Sequence, residues 1–489
     1  ADFEKNIYGI QFHPEVTHTP CGMKILENFV KITKAKKQWN IENYIEFIKK
    51  EIKEKVKNKK VFMLVSGGVD STVAFALLEK ALGNEKIYGL FVDTGFMRKN
   101  ERAEVVEGLK LAGIKNLHVK DASKEYFEAL KGVYEPEQKR KIIGDLFLTI
   151  KDQVSSELKL NPNEWIMGQG TIYPDTIETG GTKHADKIKT HHNRIDKIQE
   201  LIKQGKVIEP ICQLYKDEVR TLGKKLKLAE HLVSRHPFPG PGLAVRCLCA
   251  KSEDYPENYL AVEKAINNIV KKSGLKAKIL PIKSVGVQGD ERTYRHPVCI
   301  YGKVKNWEIL SKISTQLTNK FPEINRVILG LNIPEKINMT IQNGYLTKAR
   351  IDVLSEADDI VMNHIRQAGI FKDIWQFPTV LIPVSIDGGT SEKSSSTALS
   401  GNFDSHVLAV HSESKFPCRL VSDNFSEVPK YMESVVLRPV CSEEAMTANF
   451  YRMDFKKLEA LYKKLIATKH LSGVFYDITN KPPATIEWE

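Results

Sequence analysis

The clearest chemistry in this 489-residue chain lies in seven consecutive residues, Ser66-Gly67-Gly68-Val69-Asp70-Ser71-Thr72. Glycines let backbone N–H groups approach an oxyanion, the hydroxyls add donors, and a helix starting there adds partial positive charge. The run therefore predicts a phosphate-binding turn. It lacks the lysine of the G-x-x-x-x-G-K-[ST] nucleotide loop. Asp70 is the leading candidate for a direct or water-mediated Mg²⁺ contact beside a polyphosphate, the alternative being a helix cap. Near the start, His13 and Glu15 form a His-x-Glu pair, an imidazole with a carboxylate two residues on. Alone, that His-x-Glu pair is weak and a purely structural role stays open.

The flanking elements can position such a turn. Val61-Phe62-Met63-Leu64-Val65 is a continuous apolar run, as in a buried parallel strand, and Thr72 to Leu78 continues as a helix. Ile87 to Val92 reads as a second strand, with a helix near Glu101 to Leu111. Strand, turn, helix and strand in that order imply a doubly wound, mostly parallel α/β sheet with ligands at the strands' carboxyl ends. A helix is expected over Ile41 to Val56, and before it a strand at Tyr8 to Phe12 and a helix around Ile25 to Phe29. Arg235-His236-Pro237-Phe238-Pro239-Gly240-Pro241-Gly242 is too rich in proline and glycine for a helix or central strand and marks a boundary.

Beyond that boundary an approximate repeat runs helix, strand, strand, helix, strand. The first copy takes Ala265 to Val270, Ile279 to Ile282, His296 to Cys299, Ile309 to Leu317 and Asn325 to Leu329. The second takes Ile360 to Ile365, Val380 to Val384, Arg438 to Cys441, Leu458 to Leu465 and Ser472 to Tyr476. This is a duplicated α+β region, with a polar loop at 388–397 in the second copy.

Composition narrows the class. At 42% hydrophobic and 27% charged residues the chain has ordinary globular composition, which excludes global disorder. No run of 18 apolar residues occurs and the first residues lack a signal-peptide pattern, so a cytosolic protein without membrane contact is expected. Seven cysteines without framework spacing do not suggest a disulfide scaffold. The net charge of +12 is scattered over amphipathic helices, which fits anionic small substrates as well as nucleic acid; polynucleotide binding is the lesser expectation.

The hexapeptide Ser66 to Ser71 resembles the SGGxDS loop of adenylylating ATP pyrophosphatases. Phe91 to Arg98, Lys139 to Gly144, Gly168 to Asp175, Ile188 to Asn193, Lys216 to Arg220, Arg235 to Gly242, Ser284 to Asp290 and Lys481 to Glu489 all resemble the GMP synthetase family. The resemblance spans essentially the whole chain, and the duplicated region is similar to the longer, human-type form with an inserted subdomain. It implies that ATP adenylylates the 2-oxygen of xanthosine monophosphate (XMP), pyrophosphate leaves, and ammonia displaces AMP, with Mg²⁺ required. It further implies ATP contacts at Ser66 to Thr72 and Asp93, a weaker metal or substrate role for Asp175, and a mobile lid carrying Lys189, His191 and His192. XMP contacts map onto Arg140 on the phosphate side, with Asp290, Gln376, Lys481, Ile486 and Glu487. Bland readings remain for several of these: Arg140 a helix-surface charge, Gln376 an edge-strand residue, Glu487 part of a frayed tail.

Gly9 to Glu15 resembles the end of a class I glutamine amidotransferase domain, in which His13 and Glu15 would complete a Cys-His-Glu triad. No cysteine in a glycine-flanked elbow is present and Cys21 stands in the wrong context, so the nucleophile is expected in a segment outside this sequence. The expected organisation is an amidotransferase remnant at 1–34, an ATP pyrophosphatase domain at 35–246, a first α+β subdomain at 247–350, and a second at 351–489 completing the XMP site. Substrates would be XMP, ATP and glutamine or ammonia, and the protein a monomer or homodimer. Two other readings compete: a tRNA-modifying enzyme with the same ATP loop, and a noncatalytic nucleotide-binding scaffold.

Overall fold

A computed structural model describes the chain apart from residues 16–18, 37–39, 162, 176–203, 289–290, 304, 332, 335–336, 388–431, 443–446 and 469. It divides into two compact units, Ala1–Glu51 and Ile52–Glu489. In the first, an isolated bridge joins Asp2 to Ile7, and a helix, α1, spans Gly22–Thr33. The strand expected at Tyr8 to Phe12 does not form. No described segment pairs with it, and Ile10 and Phe12 stay half exposed, so its backbone groups have no ladder to join. Helix α2, Ile41–Val56, has the expected bounds and runs across the division.

The second unit opens on a five-stranded parallel sheet. In chain order its elements are β1 (Lys60–Leu64), α3 (Val69–Leu82), β2 (Ile87–Asp93), α4 (Glu101–Leu111), β3 (Leu117–Asp121), α5 (Ser123–Ala129), α6 (Pro136–Glu157), β4 (Trp165–Gly168), β5 (Val207–Ile208), α7 (Lys216–Lys225) and α8 (Glu230–Val233). Strand order is β3-β2-β1-β4-β5, with every pairing parallel. The chain leaves β1 toward β2 on one side and later returns to β4 on the other, so the crevice beyond the carboxyl end of β1 is the switch point where such sheets bind ligands. Val61, Phe62 and Met63 are all buried because the sheet is covered on both faces. Helix α3 is apolar nearly all round, with Val73 to Leu78 buried and α7 and α8 packed against it.

The duplicated region comprises α9 (Tyr259–Val270), β6 (Leu275–Ile279), β7 (Ser284–Gln288), β8 (Glu291–Gly302), α10 (Trp307–Lys320) and β9 (Ile324–Gly330), then β10 (Asn338–Ile341), α11 (Lys348–Gln367), β11 (Thr379–Ile382), β12 (Val384–Asp387), β13 (Glu433–Leu437), β14 (Val440–Cys441), β15 (Asn449–Phe450), α12 (Phe455–Ile466) and β16 (Leu471–Asp477). Its main sheet has the order β11-β13-β16-β9-β8-β6, with β7 added on β8. Each copy contributes an antiparallel pair followed by a parallel one, β6-β8-β9 and β11-β13-β16. An antiparallel pairing of β9 with β16 joins the copies into one sheet. Two expected strands shift. Ladder strand β6 stops at Ile279, just ahead of Pro281, and in the second copy the ladder strand is β13 rather than Arg438 to Cys441, whose Pro439 has no N–H to donate.

The sheet closes around buried charge. Asp477, fully buried, accepts from Arg326 Nη1 at 2.9 Å and from the Trp488 indole at 3.0 Å, and its other oxygen lies 3.2 Å from Arg438 Nη1. Arg326 Nη2 also donates to the carbonyls of Val285, Thr485 and Glu487. Residues 480–489 are thereby pinned against β7, where Val285 and Val287 donate to the carbonyls of Trp488 and Pro483. Asp477→Ala should remove about 3–5 kcal/mol of stability, because it strands two buried guanidiniums, as read from urea denaturation. A loss no larger than that of an exposed ion pair, under about 1 kcal/mol, would show that the carbonyls alone hold both arginines.

Candidate active site

Beyond the carboxyl end of β1 the chain makes the glycine turn and enters α3. Gly67 takes φ +78°, in the left-handed region that glycine adopts without strain. Gly68 is the N-cap and supplies no side-chain cap, so the first-turn amides of α3 keep no acceptor from that position. Ser66 Oγ and Ser71 Oγ lie 3.0 Å apart, and Gly68 N–H donates to Ser66 Oγ at 3.3 Å, which fixes the turn's shape.

Ser66 to Asp70 form one wall of a cavity of about 250 Å³ whose other walls include Met97, Arg98, Glu101, Lys216, Arg235 and His236 to Gly240. The proline-rich segment expected as a boundary thus folds over the turn. It is anchored at Gly242, whose φ is +66° and where a Cβ would lie 2.3 Å from the Phe96 carbonyl. Asp70 is not a helix cap: one oxygen forms an ion pair with Lys216, and Oδ1 is buried without a partner among the described residues. Arg235 is held by Glu101 at 3.1 Å, Glu104 at 2.9 Å and the Gly67 carbonyl at 3.3 Å. The turn amides with Lys216, Arg98 and Arg235 give the cavity wall the donors and positive charge that suit an anion. The orphaned Asp70 Oδ1 also suits a divalent cation shared with phosphate oxygens, the usual way Mg²⁺ is bound.

The other proposed residues are distributed as follows. Thr72 is buried behind the turn. Asp93 ends β2, but its carboxylate is taken by Gly95 N–H at 2.9 Å and Arg102 at 3.2 Å, outside the cavity wall. Asp175 accepts from the Ile172 amide at 3.1 Å in a turn of its own, and among the described residues no cluster of three His, Cys, Asp or Glu side chains could hold a metal. Lys189, His191, His192 and Asp290 lie outside the described residues. His13 and Glu15 are 2.9 Å apart, as expected, in the first unit, with the Glu15 carboxyl held below its usual range by its own backbone amide and by the His13 ring.

Of the XMP candidates, Gln376 and Glu487 meet on the tail. Glu487 receives both a bidentate grip from Arg246, at 2.8 and 3.0 Å, and the Gln376 amide at 2.9 Å. It is no frayed end. Arg140 pairs with Glu137 at 2.7 Å, and Arg292 and Tyr294 reach the same carboxylate. Beside it Lys139, fully buried, donates to the carbonyls of Ala244 and Cys247 and to Glu489. Lys481 pairs through its backbone with Ala448, and Ile486 is half-buried next to Glu487. The Phe238 ring lies between the cavity and Arg246. Phe238 lines the cavity, and the guanidinium carbons of Arg98 and Arg246 lie 4.3 and 5.0 Å from its centroid. Lys216, Arg98, Arg235 and Arg246 had no assigned role from sequence, although three of them stand in segments that carried the family resemblance.

His236, on the cavity wall, stacks on Phe371 at 4.0 Å and donates Nε2–H to its carbonyl at 3.0 Å. Burial pushes its pKa down to about 4; the Phe371 hydrogen bond opposes this, while Arg98, Arg366 and Arg220 add to it. Between the unfolded value near 6.5 and about 4, the unfolded chain binds a proton that the native state refuses. Stability is therefore full above about pH 6.5 and falls as the pH drops toward 4, by roughly 3 kcal/mol at most from this group. His236→Gln should flatten the pH dependence of the urea midpoint over that window; an unchanged slope would assign the acid sensitivity elsewhere.

The family described as GMP synthase C terminal domain matches residues 265–342 and 425–488, NAD synthase matches 40–145, and glutamine amidotransferase class-I matches 2–33. A probable glutamine-hydrolysing GMP synthase of Leptospira interrogans is 44% identical over 100% of this chain and 74% of its own length. Another from Caenorhabditis elegans is 33% identical over 99% of this chain and 71% of its length. Among solved structures, NMN synthetase from Francisella tularensis aligns with 42% of this chain and 78% of its own at 15% identity and a TM-score of 0.29. With one relative aligned from end to end of this chain at 44% identity, the chain belongs to the glutamine-hydrolysing GMP synthase family.

Proposed function

We propose that this chain is a ligase that makes GMP from XMP, with ATP cleaved to AMP and pyrophosphate and ammonia supplied by glutamine hydrolysis. The observation that carries the reading is the pair of sites meeting at Phe238: an anion cavity on one side, and on the other a carboxylate and amide, Glu487 and Gln376, suited to reading a purine edge. The turn amides and Ser66 take the pyrophosphate, Lys216 and Arg235 neutralise its charge, and Arg140 with Arg292 takes the 5′-phosphate of XMP. Mg²⁺ held by Asp70 Oδ1 would offset polyphosphate charge. Phe238 and the proline segment keep water from the adenylylated intermediate until ammonia displaces AMP. His13 and Glu15 serve glutamine hydrolysis. No helix among the described residues is long and apolar enough to cross a membrane.

Pyrophosphate release is the direct test. It should require XMP and be unaffected by tRNA; release that depends on tRNA would favour a modifying enzyme, and none with either a binding scaffold. A polypeptide of these 489 residues should also form GMP from ATP, XMP and ammonium salt, faster at higher pH as ammonium loses its proton, but not from glutamine. Efficient glutamine use by it would make one of its own seven cysteines the nucleophile.

Asp70→Asn should lower XMP-dependent pyrophosphate release at least tenfold, about 1.4 kcal/mol of barrier, with the fold retained by circular dichroism. Normal release in the folded variant would remove Asp70 from the reaction.

A further inference from the structure

We propose that Arg98 is a catalytic residue of adenylyl transfer, binding the α-phosphate of ATP where it is attacked by the purine; the proposal rests on the reading above. Arg98 follows the end of β2 and its backbone amide is fixed by Glu101 at 3.0 Å. Its guanidinium lies over Phe238 on the cavity wall. Among the neighbouring cations Lys216 is paired with Asp70, Arg235 with Glu101 and Glu104, and Arg246 with Glu487, leaving a single orphaned nitrogen, Arg246 Nη1, among the described residues of these three. Arg98 differs. It forms an ion pair with Asp358 on α11, 3.4 Å from Nε, and among the described residues both Nε and Nη2 are buried without a hydrogen-bond partner. Buried charged donors left unsatisfied are costly, so their presence on the wall of an anion cavity points to a ligand that satisfies them.

Position identifies the ligand group. Arg98 stands between the turn that takes the leaving pyrophosphate and, across the Phe238 ring, the Arg246–Glu487–Gln376 cluster that reads the purine. The phosphorus that must lie between pyrophosphate and purine is the α-phosphorus. In the step, a lone pair of the purine 2-oxygen forms the new O–P bond, and the proton of the adjacent ring nitrogen is lost to water. The bond from the α-phosphorus to the α–β bridging oxygen breaks, and its electron pair leaves with pyrophosphate. Charge on the non-bridging α-oxygens grows as the phosphorus becomes five-coordinate, and a planar guanidinium with free N–H groups can span two of them. Asp358 keeps the guanidinium oriented and offsets its burial while the cavity is empty.

The test is single-turnover formation of pyrophosphate with saturating ATP and XMP. Arg98→Gln should slow it about a hundredfold or more, the size of losing one transition-state donor, with KM for ATP and XMP changed far less than kcat. Guanidinium ion at millimolar concentration should restore part of the rate in Arg98→Ala, and none in Asp70→Asn. Arg98→Lys keeps the charge opposite Asp358 and guards against a folding defect, but cannot span two oxygens, and should remain well below wild type. A wild-type rate in Arg98→Lys or Arg98→Gln would overturn the proposal, as would raised KM values with kcat intact. If the wild-type chain itself releases no pyrophosphate with XMP, the functional reading falls and this proposal with it; if wild type reacts and Arg98→Gln matches it, only the role of Arg98 falls.

Discussion

One buried carboxylate, Asp477, stands against two buried guanidiniums, one from each copy of the duplicated motif. A single negative charge cannot neutralise both, and desolvating a charge costs several kcal/mol. The deficit is met by backbone dipoles: the carbonyls of Val285, Thr479, Thr485 and Glu487 all point at the two arginines. Three of those four carbonyls belong to residues beyond β16. The tail is therefore part of the solvation shell of the buried charge, and detaching it would leave the guanidiniums in an apolar interior with too few acceptors. Ordering of the last ten residues, and with them of Glu487, follows from that requirement.

The same economy of charge runs through the cavity. Each cation has an acid beside it: Asp70 for Lys216, Glu101 and Glu104 for Arg235, Asp358 for Arg98, Glu487 for Arg246. An empty cavity so arranged holds its positive charge without strong self-repulsion, and its geometry is set before any ligand arrives. Preorganised charge of this kind needs no reorganisation during reaction, which is what makes it effective in a low-dielectric site. Phe238 adds an apolar spacer between the guanidiniums of Arg98 and Arg246.

What the sequence reveals most readily is what is local. The turn at Ser66 to Thr72, the strand before it and the helix after it are contiguous, and the order of elements alone gives the parallel sheet and the duplication. Lys216 and Arg235 are different: they meet the turn across 146 and 168 residues, and no local pattern says which carboxylate a distant cation will face. Their segments stood out, but only the folded chain pairs them with Asp70 and Gly67. Asp93 shows the converse, since a carboxylate at a strand end is free to be taken by a neighbour such as Arg102. The strand expected at Tyr8 to Phe12 has the right pattern and no partner, and that at Arg438 to Cys441 has the right hydrophobicity but a proline where a donor is needed.

The tail's place in the chain bears on how the protein is made. Translation produces the phosphate turn early, and the parallel sheet around it is complete by Ile208. Glu487, which joins Arg246 and Gln376 on the far side of Phe238, is synthesised hundreds of residues later. A nascent chain on the ribosome thus acquires the walls of the cavity long before it has the carboxylate that joins Arg246 and Gln376. Because the buried arginines also wait for tail carbonyls, the duplicated sheet cannot reach its final packing until the same moment. The final packing of the duplicated sheet and the assembly of the Arg246–Glu487–Gln376 cluster are therefore one event in the making of the chain.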